Sequence, residues 1–342
     1  MLLSKKSPLF ILIFFLVAVF IGNFLINEIE KTEKEISLPS FYFEKPPIIL
    51  MFVGDIMLDR GVEYMVQKYG NDDWNFPFLK IVDFLKSSDI LFGNLEGLIS
   101  DKGAKVGSIY SFRAEPGAID GLLFAGFDMV SVANNHIFDY GREAMEDNFN
   151  RLKSAGINYV GGGFNEKEAH SSIIKNIKGT KIAFLAYNGV GLKYWFATKD
   201  KSGINWLEEE QLVKDIKAAK EIADLVIVSM HFGDEYQFQS NNEQKKFARL
   251  AVDSGADLVF GHHPHVAQEI EKYTPMDISR EGSKYKEGYI AYSLGNFIFD
   301  QNFSEETMQG MLLEVLIEDE KIKKITPFEI KINKYFQPEI AI

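Results

Sequence analysis

The chain has 342 residues, of which 46% are hydrophobic, 13% aromatic and 25% charged, and its formal net charge at pH 7 is −12. This composition is that of a folded globular protein, and the negative charge argues against nucleic acid as a partner because a phosphate backbone would be repelled. The chain contains no cysteine, which excludes disulfide bonds, thiolate zinc sites and a cysteine nucleophile.

A segment without charged residues, Ser7 to Asn27, lies close to the N-terminus. At about 1.5 Å per residue, a helix of this length would span the roughly 30 Å hydrocarbon core of a bilayer. Lys5 and Lys6 precede the segment, so the positive-inside rule places the N-terminus in the cytoplasm and the rest outside. A cleaved signal peptide is the alternative, but its apolar region would be shorter and no A-x-A-like site follows.

These features predict a single-pass protein of the cell membrane with its main domain outside the cytoplasm. The predicted segments are a cytoplasmic tail (1–6), a transmembrane anchor (7–27), a stalk (28–45) and an extracytoplasmic domain (46–342).

Six short apolar runs after the stalk predict strands that are buried on both faces. They are IILMFV (48–53), DILF (89–92), DMVSV (128–132), LVIVSM (225–230), DLVF (257–260) and YIAYSL (289–294). Apolar residues at helical spacing predict helices over 76–88, 141–156, 206–223 and 241–255. Strands that alternate with helices indicate an α/β domain. The tail over 311–332 predicts a β-hairpin, which we expect to complete a second sheet.

Each predicted strand runs into a polar cluster, and ligands of α/β sheets bind beyond the carboxyl ends of the strands. The crowding of histidines in GHHPHV (261–266) stands out, because neighbouring imidazoles are held neutral when they bind a metal. The polar residues at the strand ends are Asp55, Glu96, Asn135, His136, His231, His262, His263, His265, Asn296 and Asp300.

Imidazoles, carboxylates and an amide suit zinc, manganese or iron(II) better than calcium, so these residues predict a divalent transition-metal site. Two such ions a few Å apart, sharing a carboxylate, would act as a clamp for hydrolysis at phosphorus or carbon. The alternative is a purely structural set of side chains, since a single histidine at a strand end is more often structural than a ligand. His170 lies outside these clusters and is expected on the surface. No serine-hydrolase elbow and no Walker loop is present.

The ordered motifs resemble a known family. GDIMLDRG, GNLEG, ANNHIFDYG, HFG, GHHPHV and YSLGNFIFD look like the CapA-type capsule-synthesis family, whose poly-γ-glutamate capsule (PGA_cap) domain is related to calcineurin-like metallophosphoesterases. The resemblance covers about residues 48–303. It implies a four-layer α/β/β/α sandwich, a membrane-anchored domain, and a part in making or exporting an anionic envelope polymer, with capsule-synthase subunits as partners.

The resemblance also implies roles for individual residues. Asp55, Glu96, Asn135, His231, His263 and His265 resemble metal ligands, with Glu96 as the shared carboxylate. His136 resembles the catalytic acid, and we assign Asp139 to the catalytic site with it. Within GHHPHV, His263 and His265 are expected to form the ligand pair on an extended turn. His262 is expected to face away and to orient a ligand.

Two departures from the superfamily pattern affect the expected metal site. Met57 stands where the usual D-x-H motif has a histidine, and Glu96 in GNLEG replaces the G-D-x-x-D pattern. One metal position is therefore expected to be weak or missing. Arg60, Arg113 and Asn296 are predicted to bind substrate, since guanidinium groups bind carboxylate or phosphate well. A surface role is equally open for Arg113.

Two functions remain open at this point. One is a metal-dependent hydrolase or phosphoesterase-like enzyme that acts on an anionic polymer or its carrier. The other is a non-catalytic assembly or export subunit of a capsule synthase, which the missing D-x-H histidine favours.

Overall fold

The computed structural model describes residues 17, 19–28, 45–275 and 287–341. The chain divides into two units, Met1–Glu44 and Lys45–Ile342. The strands and helices labelled below all lie in the second unit.

The predicted transmembrane anchor over 7–27, and the single-pass location in the cell membrane drawn from it, need correction. Within the described ranges, no helix is long and apolar enough to cross a membrane. The helical residues described there are 17 and 19–28. The remaining anchor residues (7–16 and 18), the predicted tail (1–6) and residues 29–44 of the predicted stalk lie outside the described residues.

Eighteen strands are described in Lys45–Ile342. In chain order they are β1 (Ile48–Ile56), β2 (Ile90–Leu95), β3 (Leu98–Ile99), β4 (Arg113–Ala114), β5 (Met129–Ser131), β6 (Asn158–Val160), β7 (Gly162–Gly163), β8 (Ile173–Ile177), β9 (Thr180–Asn188), β10 (Gly203–Ile204), β11 (Leu225–His231), β12 (Leu258–His262), β13 (Ile270–Tyr273), β14 (Gly288–Ala291), β15 (Asn296–Ile298), β16 (Gln309–Glu318), β17 (Lys321–Ile332) and β18 (Pro338–Ile340).

The described α-helices of the same unit are α1 (Arg60–Tyr69), α2 (Val82–Leu85), α3 (Ala118–Ala125), α4 (Gly141–Ser154), α5 (Glu166–His170), α6 (Glu209–Lys220) and α7 (Asn242–Ser254). Single 3₁₀ turns are Phe76–Phe78, Lys193–Trp195 and Glu306–Met308.

Two sheets organise the domain. The larger has eight strands in the order β18-β17-β16-β1-β2-β5-β6, with β15 also paired to β1. The smaller has six strands in the order β13-β14-β12-β11-β9-β8. The central strands of both sheets are parallel, from β1 through β2 and β5 to β6 and from β9 through β11 and β12 to β14. Their carboxyl ends therefore gather at one edge of each sheet.

Three hydrophobic clusters show how the layers stack. Alternate residues of β1 face opposite ways: Leu50 and Phe52 join a cluster shared with the smaller sheet, whereas Met51 and Val53 join a cluster with helices α1 to α4. A third cluster packs the other face of the smaller sheet against α6 and α7. The order of layers is therefore helices, larger sheet, smaller sheet, helices.

The predicted α/β class is confirmed, and all six predicted strands are present. The helices predicted over 141–156, 206–223 and 241–255 correspond to α4, α6 and α7. The single helix predicted over 76–88 is instead a 3₁₀ turn followed by the one-turn helix α2. The predicted hairpin is β16–β17, but it extends the sheet that contains β1, because β16 pairs antiparallel with β1.

Four aromatic rings between the sheets make this interior sensitive to truncation. The Phe52 ring centroid lies 4.6 Å from that of Phe260, and Phe92 packs against both Phe184 and Phe260. We predict that Phe52→Ala lowers the free energy of unfolding by about 3–5 kcal/mol, because it removes a buried ring and leaves a cavity. Urea denaturation at unchanged m-value measures this. Phe238→Ala at a residue that is 58% exposed is the matched control, and an equal loss in both variants would contradict the prediction.

Candidate metal centre

Asp55 lies at the carboxyl end of β1, where three strands meet. In the strand register it faces Asn94 of β2 and Asn296 of β15. Gly54 allows this close approach, because a Cβ at position 54 would lie 1.9 Å from the carbonyl oxygen of Gly295. The backbone N–H of Asp55 donates to that same carbonyl at 2.9 Å. The glycine thus lets β15 close against β1, and the Asp55 carboxylate is fully buried.

An amide network connects Asp55 to the ends of the neighbouring strands. Asn94 Nδ2 donates to Asp55 Oδ1 at 2.8 Å, and Asn94 Oδ1 accepts from Asn134 Nδ2 at 3.2 Å. Asn94 Nδ2 also lies 3.3 Å from His231 Nδ1. On its other side, His231 Nε2 lies 2.8 Å from Asn135 Oδ1. The two predicted ligands Asn135 and His231 are therefore in direct contact.

The smaller sheet brings further histidines to the same place. His231 and His262 are register neighbours at the ends of β11 and β12. The Gly261 position again permits close packing, since a Cβ there would lie 2.0 Å from the carbonyl oxygen of Tyr292. His262 is fully buried, and its Nδ1 lies 3.2 Å from Asp55 Oδ1, although these two atoms do not meet hydrogen-bond geometry. The expectation that His262 faces away from the site is therefore wrong, while its contact with Asp55 agrees with an orienting role.

The turn that carries His263 and His265 is strained. Their φ angles are 97° and 57°, a region that costs a non-glycine residue on the order of 1–3 kcal/mol. The expected extended turn is therefore not observed. Two hydrogen bonds stabilise the observed turn. The His263 N–H donates to Asp55 Oδ2 at 3.2 Å, and His265 Nδ1 lies 3.0 Å from Asn296 Oδ1. A proton on His265 Nδ1 leaves Nε2 free to accept, and Nε2 lies 3.6 Å from Glu96 Oε1.

In the part of the chain that the structure describes, two groups of three side chains have ligand atoms within 4.8 Å of one another. We call Asp55, Glu96 and His265 the inner group, since all three are buried. We call Glu235, His263 and His265 the outer group, in which Glu235 is exposed.

A metal ion fits these groups. Among the described residues, neither carboxylate oxygen of Glu96 has a hydrogen-bond partner, and neither does Nδ1 of His263. Buried polar atoms without partners are costly, so such a cluster indicates a missing ligand or ion. Carboxylate and imidazole donors suit zinc, manganese or iron.

The electrostatics of the site also favour a cation. Burial and the neighbouring charge of Asp55 raise the pKa of Glu96 well above its usual value. Burial also opposes ionisation of Asp55, but His262 and His265 outweigh it and hold the pKa of Asp55 well below its usual value. Burial and neighbouring imidazoles lower the pKa of His231, and that of His263 to about 3. The imidazoles of His231 and His263 are therefore neutral at pH 7, as metal ligation requires.

His136 and Asp139 form a dyad at the edge of the inner group. His136 Nδ1 lies 2.7 Å from Asp139 Oδ2, and that oxygen also accepts from the backbone N–H of Phe112 at 2.9 Å. The Phe112 ring centroid lies 4.0 Å from that of His136. His136 Nε2 is directed to the site, 3.7 Å from Glu96 Oε1. One face and one nitrogen of the imidazole are thus held by the protein, and the other nitrogen is available for proton transfer.

The two predicted substrate-binding arginines differ in their surroundings. Arg60 pairs through Nε and Nη2 with both carboxylate oxygens of Asp300, so its charge is already compensated. Arg113 donates from Nη1 to the backbone carbonyls of Lys102 at 2.8 Å and Gly103 at 3.2 Å. Within the described ranges, no carboxylate forms an ion pair with Arg113.

Asn296 is buried and engaged within the protein. Its Oδ1 faces His265 Nδ1, and its Nδ2 donates to Gln301 Oε1 at 3.0 Å and to the carbonyl of Thr307 at 2.9 Å. This geometry suits a residue that fixes the tautomer and orientation of a ligating histidine.

Three residues of this site were not among the predicted ligands: Asn94, Asn134 and Glu235. Each lies within four positions of a predicted ligand, in GNLEG, ANNH or HFGDE. Their position beside those motifs was the available signal.

The histidines of the strained turn are predicted to be unequal in metal binding. His263→Ala and His265→Ala should each abolish tight binding, because each removes a nitrogen that faces the site. His262→Ala should weaken binding by about 10–100-fold, the usual effect of losing a residue that orients a ligand. Isothermal titration of Mn²⁺ or Zn²⁺ measures this. His170→Ala is the control, since His170 contacts Asp215 instead. Equal affinities in all four variants would make the imidazoles structural.

Asn296→Ala distinguishes a positioning role from the substrate-binding role predicted for this residue. If Asn296 orients His265, the variant should bind metal about 10–100-fold more weakly. A substrate-binding residue would instead leave metal affinity unchanged and raise KM. Metal titration followed by steady-state kinetics on the metal-loaded variant separates the two results.

Comparison with known proteins gives the family. Residues 49–301, more than half of the chain, match the family described as bacterial capsule synthesis protein PGA_cap. The capsule biosynthesis protein CapA of Bacillus anthracis is 32% identical over 338 residues, covering 96% of this chain and 78% of that protein. The PGA biosynthesis protein CapA of Bacillus subtilis (strain 168) is 32% identical over 256 residues, covering 74% and 63%. Among solved structures, the NAD nucleotidase of Haemophilus influenzae has a TM-score of 0.48 at 12% identity, covering 86% of this chain and 54% of that one. With its motifs gathered at one edge of paired sheets and its sequence matched along this length, the chain belongs to the bacterial capsule synthesis protein family PGA_cap.

Proposed function

We propose that this protein is a metal-dependent hydrolase with a metallophosphoesterase-like α/β/β/α sandwich, acting on an anionic envelope polymer of the poly-γ-glutamate type or on its phosphorylated carrier. The substrate class rests on the family and on its relatives, which are named for capsule and PGA biosynthesis. Other subunits of a capsule synthase are the proposed partners. Nucleic acid is not, because the net charge is −12.

The unpaired carboxylate of Glu96 carries the proposal. It is buried beside the carboxylate of Asp55, and neither of its oxygens has a hydrogen-bond partner in the described part of the chain. Two carboxyl groups in one dry pocket are strongly unfavourable unless a proton or a cation lies with them. Since imidazole nitrogens lie beside this pair, with His265 Nε2 3.6 Å from Glu96 Oε1, a divalent transition metal is the cation that the donor set suits.

One or two ions of manganese, zinc or iron would be held by Asp55, Glu96, Asn135, His231, His263 and His265. When bound, such an ion lowers the pKa of a coordinated water and polarises the bond to be cleaved. The chain's own contribution is to orient the ligands, through Asn94 at Asp55 and Asn296 at His265.

His136 is proposed to deliver a proton to the leaving group. Its Nδ1–H is directed at Asp139, which holds the ring in place and stabilises the imidazolium form. Its Nε2 is the nitrogen that faces the site. Arg113 is a better candidate than Arg60 for binding the anionic substrate, because Asp300 already neutralises Arg60. A surface role for Arg113 remains the alternative.

A non-catalytic role as an assembly or export subunit is the second candidate, and Met57 is the observation that favours it. Met57 is fully buried, and its Sδ accepts from the backbone N–H of Asp59 at 3.2 Å. In the superfamily pattern this position is a histidine. Here it is a methionine whose thioether has a structural role. A site that lacks this ligand could hold polymer without cleaving it.

The test uses purified full-length protein stripped with EDTA and reloaded with Mn²⁺ or Zn²⁺. We expect metal-dependent cleavage of bis(p-nitrophenyl) phosphate or of poly-γ-glutamate. His136→Ala should reduce kcat by about 10²–10⁴-fold, the usual contribution of a general acid, while metal content stays at the wild-type level. Asp139→Asn should lower kcat with metal bound, because it removes the charge that stabilises the imidazolium.

Two results would contradict parts of this proposal. Protein that binds metal, retains polymer and cleaves neither substrate would support the assembly role instead. Full activity of His136→Ala would leave the metal site in place but remove His136 from the mechanism.

A further inference from the structure

Glu235 is an exposed carboxylate that reaches the two histidines of the strained turn. It follows His231 by four positions on the loop that leaves β11. A carboxylate oxygen of Glu235 and one nitrogen each of His263 and His265 all lie within 4.8 Å of one another. Glu235 is thus the exposed member of the outer group, whereas both histidines are buried.

The loop is built onto the histidine turn itself. The Phe232 N–H donates to the carbonyl of His262 at 3.1 Å, and the Tyr236 N–H donates to the carbonyl of Pro264 at 2.8 Å. These two hydrogen bonds bracket Glu235 and tie its backbone to the residues that carry the ligands. The position of the Glu235 carboxylate is therefore set by the same framework as the imidazoles.

The bend of the loop is equally well defined. Gly233 has a φ of +98°, and a Cβ there would lie 2.5 Å from Cδ of Gln244. Only glycine fits this position without displacing the side chain of α7. Farther along the loop, Gln268 Nε2 donates to the carbonyl of Gln237 at 2.8 Å. The segment around Glu235 is thus held at both ends.

One nitrogen of the outer group is buried without a hydrogen-bond partner in the described part of the chain. His263 Nδ1 is buried and makes no hydrogen bond to any described residue, and His263 is only 5% exposed. A neutral imidazole nitrogen with a carboxylate opposite it is a common metal-binding pair.

We propose that Glu235 is a direct ligand of a divalent transition metal, together with His263 and His265, and that it closes the centre on the solvent side. The inference rests on the proposed metal centre and adds a ligand to it.

Asp234 provides a matched control for charge alone. It is exposed, adjacent in sequence, and its charge also acts on His263. Its Oδ2 accepts from Asn241 Nδ2 at 2.8 Å, and Asp234 is not a member of the outer group. Asp234→Asn and Glu235→Gln each remove one negative charge, but only Glu235→Gln removes a ligand.

Mn²⁺ titration of the full-length protein, with free Mn²⁺ measured by electron paramagnetic resonance, gives both stoichiometry and affinity. We expect Glu235→Gln to lose one equivalent of Mn²⁺ or to bind it at least about 10-fold more weakly. Glu235→Asp, which keeps the charge but is one methylene shorter, should also bind more weakly than wild type. Asp234→Asn should remain within about 3-fold of wild type. Circular dichroism verifies that each variant is folded.

The outcomes separate the two proposals. If wild type binds Mn²⁺ and Glu235→Gln matches Asp234→Asn in stoichiometry and affinity, Glu235 is not a ligand and only this inference is overturned. If wild type binds neither Mn²⁺ nor Zn²⁺, the proposed metal centre fails and the inference fails with it.

Discussion

The Asp55 carboxylate is held from both sheets at once. From the larger sheet, Asn94 Nδ2 donates to Oδ1. From the turn after β12 in the smaller sheet, the backbone N–H of His263 donates to Oδ2, and His262 Nδ1 lies 3.2 Å from Oδ1. A carboxylate that is fully removed from water is tolerated only with such partners. These partners lie at the ends of β2 and β12. The contacts with Asp55 therefore fix where the strand ends that carry the other ligands lie.

The strain in the histidine turn follows from the same requirement. An extended turn would send His263 and His265 along the strand direction, away from the larger sheet. Positive φ angles at both residues reverse the chain above Asp55 and bring both rings to the site. Unfavourable backbone conformations persist where the surrounding contacts determine them, and here the contacts are those of Asp55 and Asn296. The histidine turn is therefore less stable than an unstrained turn would be, but it places His263 and His265 at the site.

Much of the fold could be predicted because the central strands are buried on both faces. Runs such as IILMFV and LVIVSM have no polar face, and few other elements give that pattern. Strand β9 carries the comparable run AFLAY (183–187) but was not predicted. The helical spacing over 76–88 correctly indicated burial of Phe78, Val82 and Leu85. It could not establish a continuous helix, since successive short turns bury residues at similar intervals.

The types of residue at the site could be predicted from the sequence, but the roles of some of them could not. Asp55, Glu96 and the histidines are ligand types at strand ends, and the structure brings them together. The role of Asn296 depends on which atom of His265 it meets, and that contact joins residues 31 positions apart. No local pattern reveals that Asp300 neutralises Arg60, which lies 240 positions earlier. The uncharged segment at 7–27 satisfied a length criterion for a membrane helix that no helix in the described ranges meets.

The place of the C-terminal hairpin has a consequence for how the protein is made. β1 is translated before the other described strands, yet one of its neighbours in the sheet is β16, with Ile48 paired to Ile317. Its carboxyl end also needs β15, which supplies the Asn296 partner of Asp55. Contacts of such high sequence separation form slowly, and they cannot form before the later residues leave the ribosome. The nascent chain thus exposes an edge of β1 until β15 and β16 have been synthesised, and a chaperone that shields β1 during translation would suit this order of events.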